Sequence, residues 1–583
     1  MSRIGVFICH CGINIAGTVD VTAVVEQVRK HPDVVFAADY KYMCSDPGQE
    51  LIKKTIAEYQ LDGVVVAACS PAMHETTFRR AVASAGVNSF RCECANIREQ
   101  VSWVHQDHKE EATIKAVAIS RSIIEKVSRN ETLEPITAAV THRALVIGGG
   151  IAGMQAALDV ANAGFPVILV ERQPQLGGKM AQLSGTYLNF TAAPGMLLKI
   201  IHKVNTHPNI QVLTNAEVKN VEGYVGNFQV RVDVKNLDQN PASAEQEAIQ
   251  TPSMVEFTFE VGALIVATGW ERYSQALLPE YGGGEIPDVI DGLAFEQMLA
   301  DGGRRIRRPS DGKVPNEVVF VQCAGSRDPE RGVPYCSKVC CMYVAKQAMM
   351  YKERVPGGQP YIFYIDIRSA GKGYDEYVQR AMTDCHAIYL RGKVSKIFRD
   401  GGKVIVWGAD TLSGRSLEIA ADLVVLATPM TPDPGAVDLG QRLHASTDAN
   451  GFFTEAHVKL RPVETLTAGI FLAGAAQGPK DIPETVAQAS AAAAKTLQLF
   501  SHEKMTVSPL VATVTAELCA GCGACVLACP YGARSIHPLW NIATVNASLC
   551  QGCGACVVAC PNKASQVHNW RPDQIMAMLD EVL

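Results

Sequence analysis

"RALVIGGGIAGMQAALDVANAGFPVILVER", Arg143 to Arg172, decides how the rest of the chain is read. An apolar run, a glycine turn, a helix-period stretch and a second apolar run come one after another, the pattern strand, turn, helix, strand. Gly148, Gly150 and Gly153 fit G-x-G-x-x-G, and Glu171 closes the second strand. The glycines permit a tight turn and let a pyrophosphate approach a helix N-terminus, while the acid suits ribose hydroxyls. A glycine motif alone is weak; here strand, helix and acid all stand in register with it. This is the pattern of a dinucleotide-binding α/β domain.

Segments further along the chain favour FAD over NAD. "PQLGGKM" (Pro174–Met180) adds Gly177, Gly178 and Lys179 after the acid, and "ALIVATGW" (Ala263–Trp270) is an apolar strand leading to Thr268 and Gly269. Later, "GIFLAGAAQGPKDIPETVAQASAAAA" (Gly469–Ala494) brings Gly474 and Ala475 toward a helix whose N-terminus suits the O2 and N1 edge of a flavin. Together these segments resemble the two-dinucleotide-domain flavoproteins of the thioredoxin reductase type. An acidic residue often comes after the last glycine there; Ala475 and Ala476 stand in its place.

In such flavoproteins a nicotinamide-nucleotide domain interrupts the FAD domain and opens with its own glycine motif. The corresponding strand, "NEVVFVQCAGSRD" (Asn316–Asp328), keeps one glycine where three are wanted, so a pyridine nucleotide is expected to bind poorly. Thiols stand there instead: Cys323, then Cys336, Cys340 and Cys341 within "PYCSKVCCMYVAKQ" (Pro334–Gln347). The last three are expected on one helical stretch, where about 3.6 residues per turn puts Cys336 and Cys340 on one face. A [4Fe–4S] site beside the flavin is the favoured reading. Buried structural thiols and a redox dithiol are the rivals, although a dithiol wants an isolated Cys-x-x-Cys. Lys346, on the same stretch, is either a cation near flavin N5 or a solvated helix lysine. "GGRRIRRPSDGK" (Gly302–Lys313) reads as a solvated basic loop or a docking site for an acidic ferredoxin.

Near its end the chain repeats itself: "LCAGCGACVLACP" (Leu518–Pro530) returns as "LCQGCGACVVACP" (Leu549–Pro561). Each copy is C-x2-C-x2-C-x3-C-P, the run that holds two [4Fe–4S] clusters, with the fourth cysteine of each run serving the other cluster. Cys519, Cys522, Cys525 and Cys560 then form one set, and Cys550, Cys553, Cys556 and Cys529 the other. Structural zinc is the alternative that two matched runs ending in Cys-Pro disfavour.

The first 130 or so residues alternate strand and helix, an open parallel α/β pattern. Cysteines are expected just after successive strands, at Cys9 and Cys11, Cys44, Cys69, and Cys92 and Cys94. Strand carboxyl ends share one sheet edge, so these thiols should converge there and four of the six hold a further cluster.

The bulk composition agrees. At 583 residues, with 48% apolar and 19% charged residues and a net charge of -6, the chain reads as several globular domains with no nucleic-acid footprint. The start lacks the pattern of a signal peptide, and no stretch is apolar enough to span a bilayer, so a cytoplasmic location without membrane insertion is expected. Its 19 cysteines in grouped spacings point to metal rather than disulfides.

C-x12-C-x3-C-C, the FAD segments and the paired cysteine runs together resemble the heterodisulfide reductase A-subunit family, from end to end of the chain. The resemblance implies cluster ligation by Cys323, Cys336, Cys340 and Cys341. Through "CHCGINIAG", "MCSDPGQ" and "AACSP" it also selects Cys9, Cys11, Cys44 and Cys69. Four [4Fe–4S] clusters and one FAD are thereby implied. Longer members carry an extra ferredoxin module where this chain has the polar "VKNLDQNPASAEQEAIQTPSM" (Val234–Met254). The implied architecture is multidomain α/β: an iron–sulfur domain (1–135), a thioredoxin-reductase-like FAD domain in halves (140–312 and 421–505), a modified insertion (313–420) and a ferredoxin-like α+β domain (506–583). The implied activity is flavin-based electron bifurcation between ferredoxin and a disulfide or other acceptor. The implied partners are B- and C-like subunits together with a hydrogenase, formate dehydrogenase or NADH-oxidising protein for electron input, in paired complexes. The alternative is a non-bifurcating electron-transfer role in a quinone-linked or ring-reducing complex.

Overall fold

A computed structural model describes residues 2–236, 253–300 and 306–583. The chain divides into two compact units, Met1–Ala138 with Thr506–Leu583, and Ala139–Met505. Most of Val234–Met254, and the start of Gly302–Lys313, lie outside the described residues.

In the first unit four parallel strands lie in the order Val34–Tyr40, Ile4–Cys9, Gly63–Ala68 and Cys92–Asn96. Helices cover both faces, so the central strands are apolar throughout rather than alternating. Ile4, Val6 and Ile8 pack against helices Val21–Val28 and Lys109–Ser128, and Phe7, Val64 and Val66 against Asp46–Tyr59 and Pro71–Ser84. Asp20 starts the first of these helices by accepting the Ala23 amide at 3.0 Å, and Ser45 caps Asp46–Tyr59 in front of Pro47.

The tail belongs to the same unit. Two antiparallel strand pairs, Ala512–Val514 with Ser565–Val567 and Arg534–Ile536 with Ala543–Val545, accompany short helices Ala524–Leu527 and Ala555–Val558. Fully buried Asn569 ties it to the N-terminal sheet domain, accepting the Glu131 amide at 2.7 Å and donating to the Glu131 carbonyl at 3.2 Å. Buried Lys126 sits 4.1 Å over the Trp570 ring.

The second unit holds two sheets of one design. In the first, parallel strands Ile470–Leu472, Ala263–Val266, Ala144–Ile147, Val167–Val170 and Ile210–Leu213 are neighbours in that order, with an antiparallel sheet of Ala216–Tyr224, Asn227–Asn236 and Ser253–Val261. In the second, the order is Val289–Asp291, Leu423–Leu426, Glu317–Val321, Gln359–Tyr364 and Ile388–Arg391, with the antiparallel Val394–Asp400, Lys403–Asp410 and Arg415–Ala421. A two-stranded ribbon, Trp270–Arg272 with Met430–Pro432, carries the chain out of the first sheet and back.

The expected boundaries at 312/313 and 420/421 are therefore displaced. Val289–Asp291 pairs in parallel with Leu423–Leu426, so both belong to the inserted sheet and the crossings lie at the ribbon. Arg308 departs from the solvated-loop expectation. It is buried, 3.2 Å from carboxylates of both Asp288 and Asp422, and so clamps the starts of those two strands. The expected helix over Cys336 to Cys341 begins only at Cys340. Lys338, at φ +64°, breaks helical geometry, and Cys336 precedes it in an irregular turn. Cys92 and Cys94 lie within their strand rather than after it, because pairing with Val64 and Val66 draws them into the sheet.

Candidate functional site

A cavity of about 1030 Å³ opens in the second unit at the glycine turn. Gly148 lies at φ +110°, and a Cβ there would sit 2.4 Å from the Ala267 carbonyl oxygen. A Cβ on Gly153 would sit 1.8 Å from the Gly148 carbonyl, so this glycine lets helix Ile151–Asn162 close on its strand. Gly148, Gly150, Glu171, Gly178, Lys179, Thr268, Gly269, Ala475 and Lys346 line the cavity; Gly153, Gly177 and Gly474 do not. Gly177 instead donates its amide to the Gly149 carbonyl at 2.9 Å. Glu171 accepts the Gly149 amide at 2.6 Å and the Gln173 amide at 2.7 Å, which fixes its carboxylate at the mouth of the turn. Lys179 pairs with Glu271 at 2.6 Å.

Lys346 is not a solvated lysine. It and Glu296 are each 3% exposed and form an ion pair, with the Gly185 carbonyl 2.8 Å from Nζ. Glu296 also accepts from the Ser184 amide at 2.8 Å and the Gln347 side-chain amide at 3.0 Å. Burial alone would raise the Glu296 carboxyl; Lys346 and these donors outweigh it and hold it below the usual carboxylate range. Asp481, also a lining residue, caps helix Ile482–Phe500 and accepts the Tyr187 and Tyr374 hydroxyls at 2.7 and 2.6 Å. Lys346 was a candidate in the sequence, but its partner Glu296 and the Tyr187, Tyr374 and Asp481 cluster were not legible there, although Asp481-Ile-Pro-Glu484 carries a capping-box signature.

The cavity suits a dinucleotide cofactor. Two of its polar atoms, Thr268 Oγ1 and Gln347 Oε1, are buried without a partner, and a helix N-terminus lies behind the glycines.

The thiols converge in four sets. Burial pushes the Cys340 thiol well up and Cys341 up to about 11, and Cys323 and Cys336 add to both. Cys341 Sγ accepts the Arg368 amide and Cys336 Sγ the Lys338 amide, each at 3.3 Å. Gln322 Nε2 and Ser326 Oγ, flanking Cys323, are buried and unpartnered. In the first unit burial raises Cys9, reinforced by Cys11 and Cys44, and raises Cys69 to about 11, with Cys11 and Cys9 adding and Arg98 opposing. Arg98 Nη1 donates to Cys11 Sγ at 3.2 Å. In the tail, Cys519, Cys522, Cys525 and Cys560 line one small cavity, while burial and then Cys550, Cys529 and Cys553 raise Cys556 against the pull of Arg534. Thiols raised this way are inert unless a metal deprotonates them.

Among the described residues no three cysteine sulfurs lie within 4.8 Å of one another.

Cys92 and Cys94 pack among Phe78, Val82 and Val64. Replacing Cys94 by alanine should leave iron content unchanged and lower stability by about 1 kcal/mol, whereas Cys9→Ala should remove about four irons. Iron and sulfide assays on the two anaerobically purified variants check this.

Two family models match the chain: a 4Fe-4S dicluster domain over residues 512–568 and a pyridine nucleotide-disulphide oxidoreductase over residues 142–297. Among solved structures, T. acidophilum thioredoxin reductase covers 62% of this chain and 99% of its own at 18% identity and a TM-score of 0.40. One of the iron-sulfur A subunits of CoB–CoM heterodisulfide reductase in Methanopyrus kandleri, the one numbered 2, is 44% identical over 91% of this chain and 90% of its own. The A subunit of the H(2):CoB-CoM heterodisulfide,ferredoxin reductase of Methanothermobacter marburgensis is 41% identical over 92% and 90%. Fold and motifs define a flavin- and iron–sulfur-dependent oxidoreductase. The chain belongs to the heterodisulfide reductase A-subunit family. Among the described residues no helix is long and apolar enough to cross a membrane.

Proposed function

We propose that this chain is the FAD and iron–sulfur subunit of a heterodisulfide-reductase-type complex. In that complex it splits electron pairs by flavin-based bifurcation between ferredoxin and a disulfide or other acceptor on B- and C-like partner subunits. A hydrogenase, formate dehydrogenase or NADH-oxidising protein supplies the pairs, and the complexes associate in twos. FAD would bring two-electron chemistry, and four [4Fe–4S] clusters one-electron chemistry.

One observation carries the reading. Helix Cys340–Arg354 contributes two thiols of the central set in its first turn and three lining residues of the cavity, Tyr343, Lys346 and Gln347, in the next two. At about 1.5 Å of rise per residue, thiols and cavity wall are within roughly 10 Å along one rigid element. The same insertion lacks the glycine turn a nicotinamide would need, which leaves the thiols as the inserted domain's electron port. Glu171 and the turn at Gly148 to Gly150 would hold the dinucleotide. Lys346 would stand as a buried cation on the wall, its charge set by Glu296 and not by solvent.

A redox titration of the flavin in anaerobically purified protein tests this. Crossed one-electron potentials, the second electron leaving at much lower potential than the first, are expected. Potentials in the ordinary order and widely separated would make the chain a one-electron relay, the quinone-linked or ring-reducing alternative.

A further inference from the structure

Between strand Cys92–Asn96 and helix Lys109–Ser128 the chain makes one π-helical turn, Arg98–Ser102. The Ser102 amide donates to the Ile97 carbonyl at 3.2 Å and the Trp103 amide to the Arg98 carbonyl at 2.9 Å, each bond spanning five residues. Such wide turns are rare and recur at functional sites. This one starts at the carboxyl edge of the sheet, where the Ile97 amide donates to the Ala68 carbonyl at 2.9 Å, and it delivers Arg98 to Cys11.

The Arg98 guanidinium is shared among three side chains. Nε and Nη2 donate to Glu99 Oε1 at 3.2 and 2.7 Å, Nη2 also meets Met73 Sδ at 3.0 Å, and Nη1 donates to Cys11 Sγ at 3.2 Å. Its centre lies 4.8 Å from the Trp103 ring. Glu99 is fixed in turn, accepting the Ser70 amide at 2.8 Å through Oε2 and donating its own amide to Asn96 at 3.1 Å. At 12% exposure the Arg98 side chain is thus held by Glu99 and Trp103 and does not depend on Cys11 for its position. Cys9, by contrast, receives only neutral donors, the amides of Cys11 at 3.3 Å and Met43 at 3.4 Å.

We propose that Arg98 is a positioning residue of the N-terminal cluster, acting through Cys11: its Nη1–H binds the Cys11 thiolate and raises the reduction potential of that cluster. The step rests on the ligand set of the proposed function. A thiol sulfur accepts weakly, whereas the thiolate of a ligating cysteine accepts a charge-assisted bond. Reduction adds an electron and places more negative charge on the sulfurs, so the bond is stronger in the reduced form and favours it. Arg98 and Glu99 together are neutral, but the pair turns its positive end to Cys11 and its negative end to the Ser70 amide. Its effect is therefore felt at the sulfur it touches.

The test is an EPR-monitored titration with dithionite on the full-length holoprotein, with iron counted, in wild type, Arg98→Met and the double variant Arg98→Met with Glu99→Gln. The N-terminal signal is the one missing from Cys9→Ala. Full iron is expected in both variants, with the N-terminal cluster alone harder to reduce. The shift should be about tenfold, ~59 mV, in the double variant, and at least as large in Arg98→Met, where Glu99 has lost its cation. An unchanged midpoint in Arg98→Met at full iron overturns the inference. So does a double variant with the wild-type midpoint, because the shift would then belong to the stranded acid. If Arg98→Met loses iron, the double variant decides: a tenfold fall at full iron upholds the inference. Iron lost from the double variant overturns it in every case. The ligand reading fails separately, if Cys11→Ala costs no iron.

Discussion

Replacing Cys340 by serine should lower the iron and sulfide of the anaerobically purified protein by about four each, from roughly sixteen per chain, while about one FAD remains. Cys340 is 5% exposed at the first position of its helix, with Cys341, Cys323 and Cys336 around it. A serine oxygen there keeps the volume and loses the soft ligand, so cluster and fold are separated by the substitution. Flavin should persist because Gly148, Gly150 and Glu171 lie on the other sheet of the unit. Its reoxidation through the clusters should slow by orders of magnitude, read by stopped-flow absorbance. Cys385→Ser is the control: that cysteine lies after helix Tyr374–Thr383 and packs against the apolar cluster of Met349, Tyr377 and Ala381, and its loss should cost no iron. Full iron in Cys340→Ser would return the set to buried structural thiols and remove the link between flavin and clusters.

Lys346→Met should destabilise the second unit by about 3–5 kcal/mol, the usual cost of leaving one partner of a buried ion pair alone. Glu296 would keep only Ser184 and Gln347 as donors. The effect has a pH signature. In the native protein the Glu296 pKa is depressed, so its contribution is present above the unfolded carboxylate pKa and lost as pH falls through the folded one. Without Lys346, burial raises that pKa instead, and the variant should be closest to wild type in acid and furthest from it near neutrality. Thermal unfolding of the holoprotein at several pH values measures this. Lys346→Met combined with Glu296→Gln should regain most of the loss, since it removes the stranded charge. A single variant as stable as wild type at neutral pH would show that the pair is dispensable and would weaken the case for a cation fixed at the cavity wall.

Much of this protein was legible in its residues because the relevant signals are local. The glycine turn at Gly148, the acid at Glu171 and the two tail cysteine runs each lie within a few dozen residues of chain, where spacing alone dictates which atoms meet. Strands such as Ile4–Cys9 and Ala144–Ile147 announce themselves as unbroken apolar runs because both of their faces are covered. The helix start at Cys340 is not legible in the residues, because the spacing of Cys336 and Cys340 fits one helical face, and only the left-handed Lys338 keeps the helix from beginning earlier.

The sequence by itself determined the dinucleotide turn, the grouping of the thiols and the parallel α/β frame of the N-terminal domain. Tertiary structure alone decided that Val289–Asp291 belongs to the inserted sheet, that Lys346 meets Glu296 fifty residues away, and that Arg534 is buried against Ser565. The division has one physical cause. Hydrogen-bonded turns and ligand spacings are written in neighbouring residues, whereas strand pairing and charge burial depend on which distant segments fold together, and no local spacing records that choice.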